Sequence, residues 1–472
     1  MRRDERYSLC DAPTRLTGPT RLGGPTRLVG PDVPNFADLY GYQRTGVMFL
    51  REHDHALLSD DPGLGKSAQT LRALPKRGRT ILIAPASVLS VWELEVPKFR
   101  PDLRIDVDTD LRRPDIGEIV AVSYDSLPEP YRSSPRAQPR MLLEPTDDVT
   151  LVLDEVHKVK SGSAQRTQKT RLLAAQCARV WGLTGTPMYG DPEDLWGVLV
   201  SLGLDKTVFP GGWSELVQLC GGKKRIIWDK RTKCRREAGY VWGDVSPEVK
   251  TRLRAQAMLR RTAADPEVEI ELPAIRYIDV PVRAPEELRR TLDGISEHVW
   301  AETKPGELPP FDLLATARAA LAESRIPAAI EWVTNTCPSM PLLVFSAHEA
   351  PALAVGSMKL PDGYKAAALT GATPQRQRGQ LVADFQAGKI RVLSMTIAAG
   401  GEGLNLYEAG AELFIDLDYT PSMNRQAERR FARPGQKRKR VTVYRMVSDH
   451  PLDVRVLEIL DEKSRVIAAA IG

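Results

Sequence analysis

Residues 55–74 read "HALLSDDPGLGKSAQTLRAL". Three apolar residues, Ala56 to Leu58, suit a short buried strand. A glycine-containing turn follows, and "SAQTLRAL" then has the composition of a helix. Strand, loop and helix within twenty residues open an α/β unit, and a loop of this type is where such units hold phosphates. Phosphate binding needs backbone N–H groups at a helix N-terminus, a lysine, and a hydroxyl for magnesium. Gly63 and Gly65 let the backbone approach, Lys66 supplies charge, and Ser67 supplies the hydroxyl. The general pattern G-x-x-x-x-G-K-[ST] wants a first glycine where this chain has Asp60. Taken alone, the loop is therefore no better than even against a fortuitous glycine-rich turn.

Outward from this stretch, further apolar runs recur. "RTILIAPASVL" (79–89), "TLVLDEVH" (150–157) and "ARVWGLTGTP" (178–187) form one set. "PLLVFSAH" (341–348), "KIRVLSMTIAAG" (389–400), "AELFIDLD" (411–418) and "RVTVYRMV" (440–447) form a second. Continuous apolar runs separated by helix-length spacers indicate parallel sheets covered on both faces. Two sets imply two α/β lobes, with strand character fading between about 200 and 335. Before them, "PTRLTG", "PTRLGG" and "PTRLVG" repeat between Pro13 and Gly30. Such short units bury almost nothing, so residues 1–35 read as a flexible tail with weak phosphate contacts at most.

The composition is that of a globular chain, 42% hydrophobic and 27% charged with net charge +5 over 472 residues. No apolar run approaches the length of a membrane helix, and no apolar segment follows the basic N-terminus, which argues against a secretory signal and for the cytoplasm (a host's, if phage-encoded). Cysteines 10, 177, 220, 234 and 337 form no C-x-x-C pair, which speaks against a zinc ribbon or a disulfide framework. The six histidines form no nuclease-like or metal-binding cluster.

The second half of the nucleotide site decides the reading of the first. "LVLDEVH" puts Asp154 and Glu155 at the C-terminal end of a buried strand. Asp154 suits a magnesium ion held with Ser67, and Glu155 suits the attacking water. Adjacent acids usually mark a solvated turn, but four apolar residues before them and the loop upstream point to a hydrolytic site. Transition-state charge needs a further cation. In the second lobe "QAERRFARPGQ" (426–436) offers Arg430 and Arg433 one turn apart, with Gln426 four residues before Arg430. Supplied across a cleft, these arginines would link ATP hydrolysis to lobe closure.

Together these motifs resemble the superfamily-two helicases, and within them the Swi/Snf-related DNA translocases. In that family the loop reads D-E-x-G-x-G-K-[TS], so Asp60 is a family feature and joins the ATP-binding set. The resemblance implies two RecA-like lobes, 36–270 and 271–472, with a basic insertion near 205–261. It places Gln43 of "LYGYQRTGVMFL" on the adenine and makes "LDEVH" a DEAH-like box that includes His157. It assigns coupling to Thr184 and Thr186 of "LTGTP" and to Gly401 and Gly403 of "AAGGEGLNL". "LIAPASVLSVWELEVPKF", "MLRRTAADPEVEIELP" and "GATPQRQRGQLVADF" complete the series, over about 36–463, and the branch it most resembles contains the fork-remodelling and strand-annealing enzymes. Three positions depart from the pattern: Ser67 replaces a commoner threonine, Ala432 a histidine, and Gly190 an asparagine, the last leaving coupling efficiency open. ATP and Mg2+ are the implied cofactors, and double-stranded or forked DNA the implied track.

Residues 223–236, "KKRIIWDKRTKCRR", carry eight basic residues and one acid. With Trp228 and Trp242 interleaved, nucleic-acid contact by Lys223, Lys224, Arg225 and Trp228 is expected rather than an inert loop. The structural alternative is a helical protrusion with the tryptophans as its small core. Loops at 85–87 and 370–373, with Pro85, Ser87, Thr370 and Gly371, are expected to reach phosphates, which carry no sequence information. A strand-separating helicase and a slow ATP-gated clamp are the competing readings. No Asn-Gly or Asp-Gly hairpin signal in the second lobe favours the former. A monomer is the default, with a replication or repair protein as the partner that supplies targeting.

Overall fold

The computed structural model describes residues 38–107, 110–134, 137–229, 234–268, 270, 272–290, 311–400, 404, 406–432 and 436–472. The hexapeptide tail, Gly401, Gly403 and Arg433 lie outside them, as does the side chain of Trp228.

Two all-parallel sheets form the framework. The first is built from β1 (His55–Leu58), β2 (Arg79–Ala84), β3 (Arg104–Val107), β4 (Glu118–Ser123), β5 (Val149–Asp154) and β6 (Arg179–Leu183). An antiparallel pair, β7 (Lys223–Asp229) and β8 (Cys234–Val241), intervenes before β9 (Met258–Leu259) closes that sheet. Its order is β3-β4-β2-β5-β6-β1-β9. The second sheet takes β10 (Ala274–Val282), β11 (Leu342–Ser346), β12 (Ala366–Leu369), β13 (Val392–Thr396), β14 (Ala411–Phe414) and β15 (Arg440–Ser448) in the order β10-β15-β14-β11-β13-β12.

The sequence patterns explain which strands are central. Every residue of β5 is buried, as is every residue of β11 and β14, and continuous apolar runs are what a doubly covered parallel strand requires. The edge strand β10 instead alternates between exposed and half-buried residues and contains Pro281, a residue that sheets tolerate at their edges. Its periodicity gives no buried-run signal.

The basic insertion does not form the helical protrusion that was the structural alternative. Its basic run forms the β7–β8 hairpin, flanked by helices Trp213–Leu219 and Pro247–Gln256. Trp242 does act as a core residue there: its ring lies 5.9 Å from Trp213 and 5.3 Å from Tyr240, with Trp196 5.8 Å from Trp213. The C-terminal helix, Pro451–Ile471, follows β15 of the second lobe, yet Ile467, Ala470 and Ile471 are buried in the first-lobe core with Val249 and Leu253. Both lobes belong to one unit, Leu39–Gly472. Among the described residues no helix is long and apolar enough to cross a membrane.

Candidate active site

The loop after β1 turns through Gly63 (φ 90°) and Gly65 (φ 75°) into the helix Lys66–Ala73. Left-handed backbone here is the reason for glycine, and a Cβ on Gly65 would fall 2.4 Å from Gln43 Nε2. Lys66 Nζ donates to the Asp60 carbonyl at 2.7 Å. Burial pulls the Lys66 ammonium below its usual range, opposed by the charges of Glu155, Asp60, Asp154 and Asp61. The Ser67 hydroxyl bonds Glu95, whose carboxyl is raised by burial.

Asp60 takes a different part from the one its place in the loop suggests. Its fully buried carboxylate accepts from Arg261 Nη2 at 2.5 Å, Arg261 Nε at 3.0 Å and Gln69 Nε2 at 3.0 Å. Arg261 follows β9, so the aspartate ties the loop to the sheet edge and its side chain is fully occupied. Gln43 likewise spends its amide on protein: Oε1 accepts from the Tyr40 N–H at 3.1 Å and Nε2 donates to the Leu64 carbonyl at 3.2 Å. In this state it braces the loop that would hold the phosphates.

At the end of β5, Asp154 Oδ2 accepts from the Trp92 indole at 2.7 Å and Oδ1 from the Glu155 N–H at 2.9 Å. Trp92, from helix Ala86–Phe99, is fully buried; the sequence places it in a motif of the resemblance, and its bond to Asp154 comes from the structure. Burial, then the neighbouring Glu155 charge, pushes Asp154 up to about 7. Glu155 moves the other way: burial opposes ionisation, but His157, Lys66 and Arg430 hold the carboxyl at about 2. Glu155 is also the one non-glycine with positive φ among the described residues, at 49°, a strain of order 1–3 kcal/mol that folds concentrate at functional sites.

Coupling residues gather beside it. His157 Nδ1 lies 3.3 Å from Glu155 Oε2 and 2.9 Å from Thr184 Oγ1, and Thr184 Oγ1 accepts from the Thr186 N–H at 3.0 Å. From the second lobe come Gln426 and Arg430, both buried; the Arg430 charge acts on Glu155 across the cleft. Gln426 Oε1 accepts from the Tyr189 hydroxyl at 3.0 Å, and Ser422 Oγ donates to the Met188 carbonyl at 3.2 Å. Arg429, unremarked in the sequence, stands 3.8 Å from Asp61 of the phosphate loop, which Arg260 also pairs at 3.3 Å. The structure thus brings Lys66, Ser67, Asp154, Glu155, His157, Thr184, Thr186, Gln426 and Arg430 to one inter-lobe cleft.

Pro85 and Ser87 sit where β2 passes into its helix, and Thr370 and Gly371 directly follow β12. All four lie at the carboxyl ends of parallel strands, where ligands of such sheets bind. Thr370 is buried and its hydroxyl accepts from the Ala372 N–H at 3.3 Å, while Gly371 is exposed. Lys223 and Lys224 are exposed on the hairpin, Lys224 being paired to Glu237 at 2.8 Å.

Comparison with known proteins agrees with this geometry. Residues 42–279 match the SNF2-related domain, half of the chain, and residues 329–435 match the helicase conserved C-terminal domain. The chain belongs to the Snf2 family of superfamily-two helicases. The enzyme class of this Snf2 membership is that of a DNA-dependent ATPase. Similar curated proteins include the "SWI/SNF-related matrix-associated actin-dependent regulator of chromatin subfamily A-like protein 1 homolog" of Caenorhabditis elegans, 26% identical over 84% of this chain and 57% of that protein. Another is the "DNA annealing helicase and endonuclease ZRANB3" of Homo sapiens, 24% identical over 92% of this chain and 40% of that protein. The Snf2 chain spans about half the length of these relatives. A solved "Sulfolobus solfataricus SWI2/SNF2 ATPase core in complex with dsDNA" aligns over 92% of this chain and 93% of that one, at 21% identity and a TM-score of 0.40.

Proposed function

We propose that this chain hydrolyses ATP to move along, or remodel, duplex, forked or branched DNA without sequence preference. The observation that carries the reading is that the Arg430 charge of the second lobe acts on Glu155 of the first, while Gln426 is bonded to Tyr189 beside His157. A hydrolytic carboxylate whose charge is balanced from the opposite lobe makes hydrolysis depend on closure, which is what a two-lobed motor needs.

The residues divide the work as follows. Lys66 and the glycine loop take the phosphates. Glu155, its carboxyl held down by His157, Lys66 and Arg430, accepts a hydrogen bond from the attacking water, orients it and takes its proton. Arg430 offsets charge developing on the transferred group. Among the described residues no three His, Cys, Asp or Glu side chains form a cage for an ion of their own. That fits magnesium, which is commonly held by one or two protein groups plus substrate phosphates; Ser67 and Asp154 are the groups for it. When bound, the ion supplies charge neutralisation between the phosphates. Backbone amides and hydroxyls near Pro85, Ser87, Thr370 and Gly371 suit DNA phosphates, and the human relative, a DNA annealing helicase by name, supports DNA as the remodelled substrate. The β7–β8 hairpin favours a second reading, strand separation, because a hairpin can part a duplex.

Steady-state ATPase tests the proposal, run with no nucleic acid, single-stranded DNA, duplex, forked duplex and RNA, with Glu155→Gln as the blank. Stimulation by duplex or fork, lost at least 100-fold in the variant, is the expected result. Stimulation by RNA or single strands alone overturns it in favour of strand separation.

A further inference from the structure

Position 190 is a glycine in this chain, and its surroundings show why the neighbouring residue matters. The Gly190 N–H donates to Asp194 Oδ2 at 2.9 Å, and a Cβ there would come within 3.3 Å of Lys463 Nζ. No side chain reaches across the cleft from position 190. Tyr189 does. Its ring lies 4.6 Å from that of His157 and 4.5 Å below Lys160 Nζ, which Asp194 pairs at 2.9 Å. The hydroxyl then donates to Gln426 Oε1 in a buried bond of 3.0 Å.

We infer that Tyr189 is a positioning residue that sets the orientation of Gln426 and links it, through the His157 ring, to the state of Glu155. The inference rests on the ATPase reading above and adds a residue to it. A carboxamide has one accepting and one donating end, and the partners it finds decide which way it faces. With Oε1 held by a phenol, Nε2 is the end left to donate to an anion, the chemistry a nucleotide's terminal phosphate presents. The first part of the connection is equally concrete: His157 Nδ1 is 3.3 Å from the Glu155 carboxylate and 2.9 Å from the Thr184 hydroxyl. A change at Glu155 that moves the imidazole therefore moves the tyrosine ring packed against it at a tilt of 33°, and with it the amide in the other lobe. Buried aromatic contacts and a buried hydrogen bond transmit displacement because neither can be replaced by water in place.

Spatial continuity alone does not establish coupling, and a double-mutant cycle does. Tyr189→Phe keeps the ring against His157 and Lys160 and removes only the hydroxyl, so the fold is preserved. It is combined with Gln426→Ala, and two quantities are measured on the four proteins. The first is affinity for a fluorescent, slowly hydrolysed ATP analogue without DNA. The second is base pairs travelled per ATP, from displacement of a third strand along a duplex against phosphate produced.

Tyr189→Phe is expected to weaken analogue binding about 3-fold and to lower base pairs per ATP about 5-fold or more. Both effects should vanish in the Gln426→Ala background. A merely structural tyrosine would lower all rates together and leave the ratio of distance to ATP unchanged. Additive effects in the double variant, or an unchanged ratio and affinity in Tyr189→Phe, overturn the inference. If the wild-type protein hydrolyses ATP and displaces no third strand, the translocase reading falls, and the affinity cycle still decides the role of Tyr189.

Discussion

Asp60 stands where a general phosphate loop has glycine, and its surroundings show what the exchange accomplishes. Its carboxylate is fully buried and takes four hydrogen bonds from Arg261 and Gln69, so it fixes the loop against the segment after β9. Restoring the general pattern with Asp60→Gly should therefore harm the protein: it strands the Arg261 guanidinium, 2% exposed, and uncompensated buried charges cost about 3–5 kcal/mol. Denaturant unfolding should show a loss of that order, with no gain in ATP affinity. Glu118 offers a pH-dependent counterpart. It is buried (3% exposed) and pairs with Arg112 at 2.7 Å and Arg104 at 3.1 Å, and Arg112 leads the interactions that hold its carboxyl at about 2. Its folded-state value lies below the unfolded one, so its stabilisation is present above the ordinary glutamate range and is lost as pH falls toward 2. Since the arginines are partly solvated, the contribution should be on the order of 2 kcal/mol rather than the full shift. Melting of wild type and Glu118→Gln between pH 7 and pH 2.5 checks this: the gap should be largest at neutral pH and close below about 4.5. A gap constant with pH would exclude it.

The β7–β8 hairpin is the element whose role is most exposed to test. Lys223 and Lys224 are exposed and Arg225 half-buried near its base, on a footing of Trp213, Tyr240 and Trp242 stiff enough to present charge in a fixed direction. If the strand contacts DNA phosphates, each contact adds about 0.9 to the slope of log affinity against log salt. Lys223→Ala and Arg225→Ala should each lower that slope by about 0.9. Lys224→Ala should lower it less, because Glu237 at 2.8 Å already engages that ammonium. Titrations of duplex DNA between 50 and 200 mM salt, about the range over which such contacts show, give the answer, and unchanged slopes would make the hairpin a bystander. The hairpin also marks where the sequence stops being legible. β2, β5, β11 and β14 announce themselves because a strand buried on both faces must be apolar throughout. In β7 the leading residues are Lys223, Lys224 and Arg225 with no Asn-Gly or Asp-Gly after it, so neither periodicity nor turn chemistry shows a strand pair. β10 is hidden for a related reason, since an edge strand needs only half its residues to be apolar. The site follows the same division. Lys66, Ser67, Asp154, Glu155, Gln426 and Arg430 lie in motifs whose spacing is set by the loop or helix that carries them. Tyr189 meets Gln426 across 237 positions, and Trp92 lies in a motif of the family, but its partner Asp154, 62 positions on, is not marked by that motif. Such partners are fixed by tertiary packing, on which a single sequence carries no period.

At the scale of the molecule, the two lobes are joined by more than the cleft. The helix Pro451–Ile471 begins on the second lobe, where Leu452 packs with Ala317 and Leu321, and ends among first-lobe residues, where Ile467 and Ile471 are buried with Val249 and Leu253. Arg254 Nη2 adds a hydrogen bond to the Gly472 carbonyl at 3.1 Å. Removing one such isoleucine side chain costs about 2–5 kcal/mol, for lost transfer energy and an imperfectly refilled cavity. What distinguishes these positions from other core residues is that the cost falls on the connection between lobes, while each sheet keeps the rest of its own core. The double variant Ile467→Ala, Ile471→Ala should therefore do more than lower the melting temperature. In scanning calorimetry the wild type should unfold as one transition, because the shared helix makes the lobes cooperative, and the variant should resolve into two. Activity gives the second reading. The Arg430 charge acts on Glu155, and Gln426 bonds Tyr189, only when the lobes are together, so loosening the helix should lower ATP turnover even at saturating nucleotide, with each lobe still folded. A single, simply shifted transition with normal turnover would mean that the cleft contacts, Tyr189 to Gln426 and Arg429 to Asp61 among them, suffice to hold the lobes without the helix.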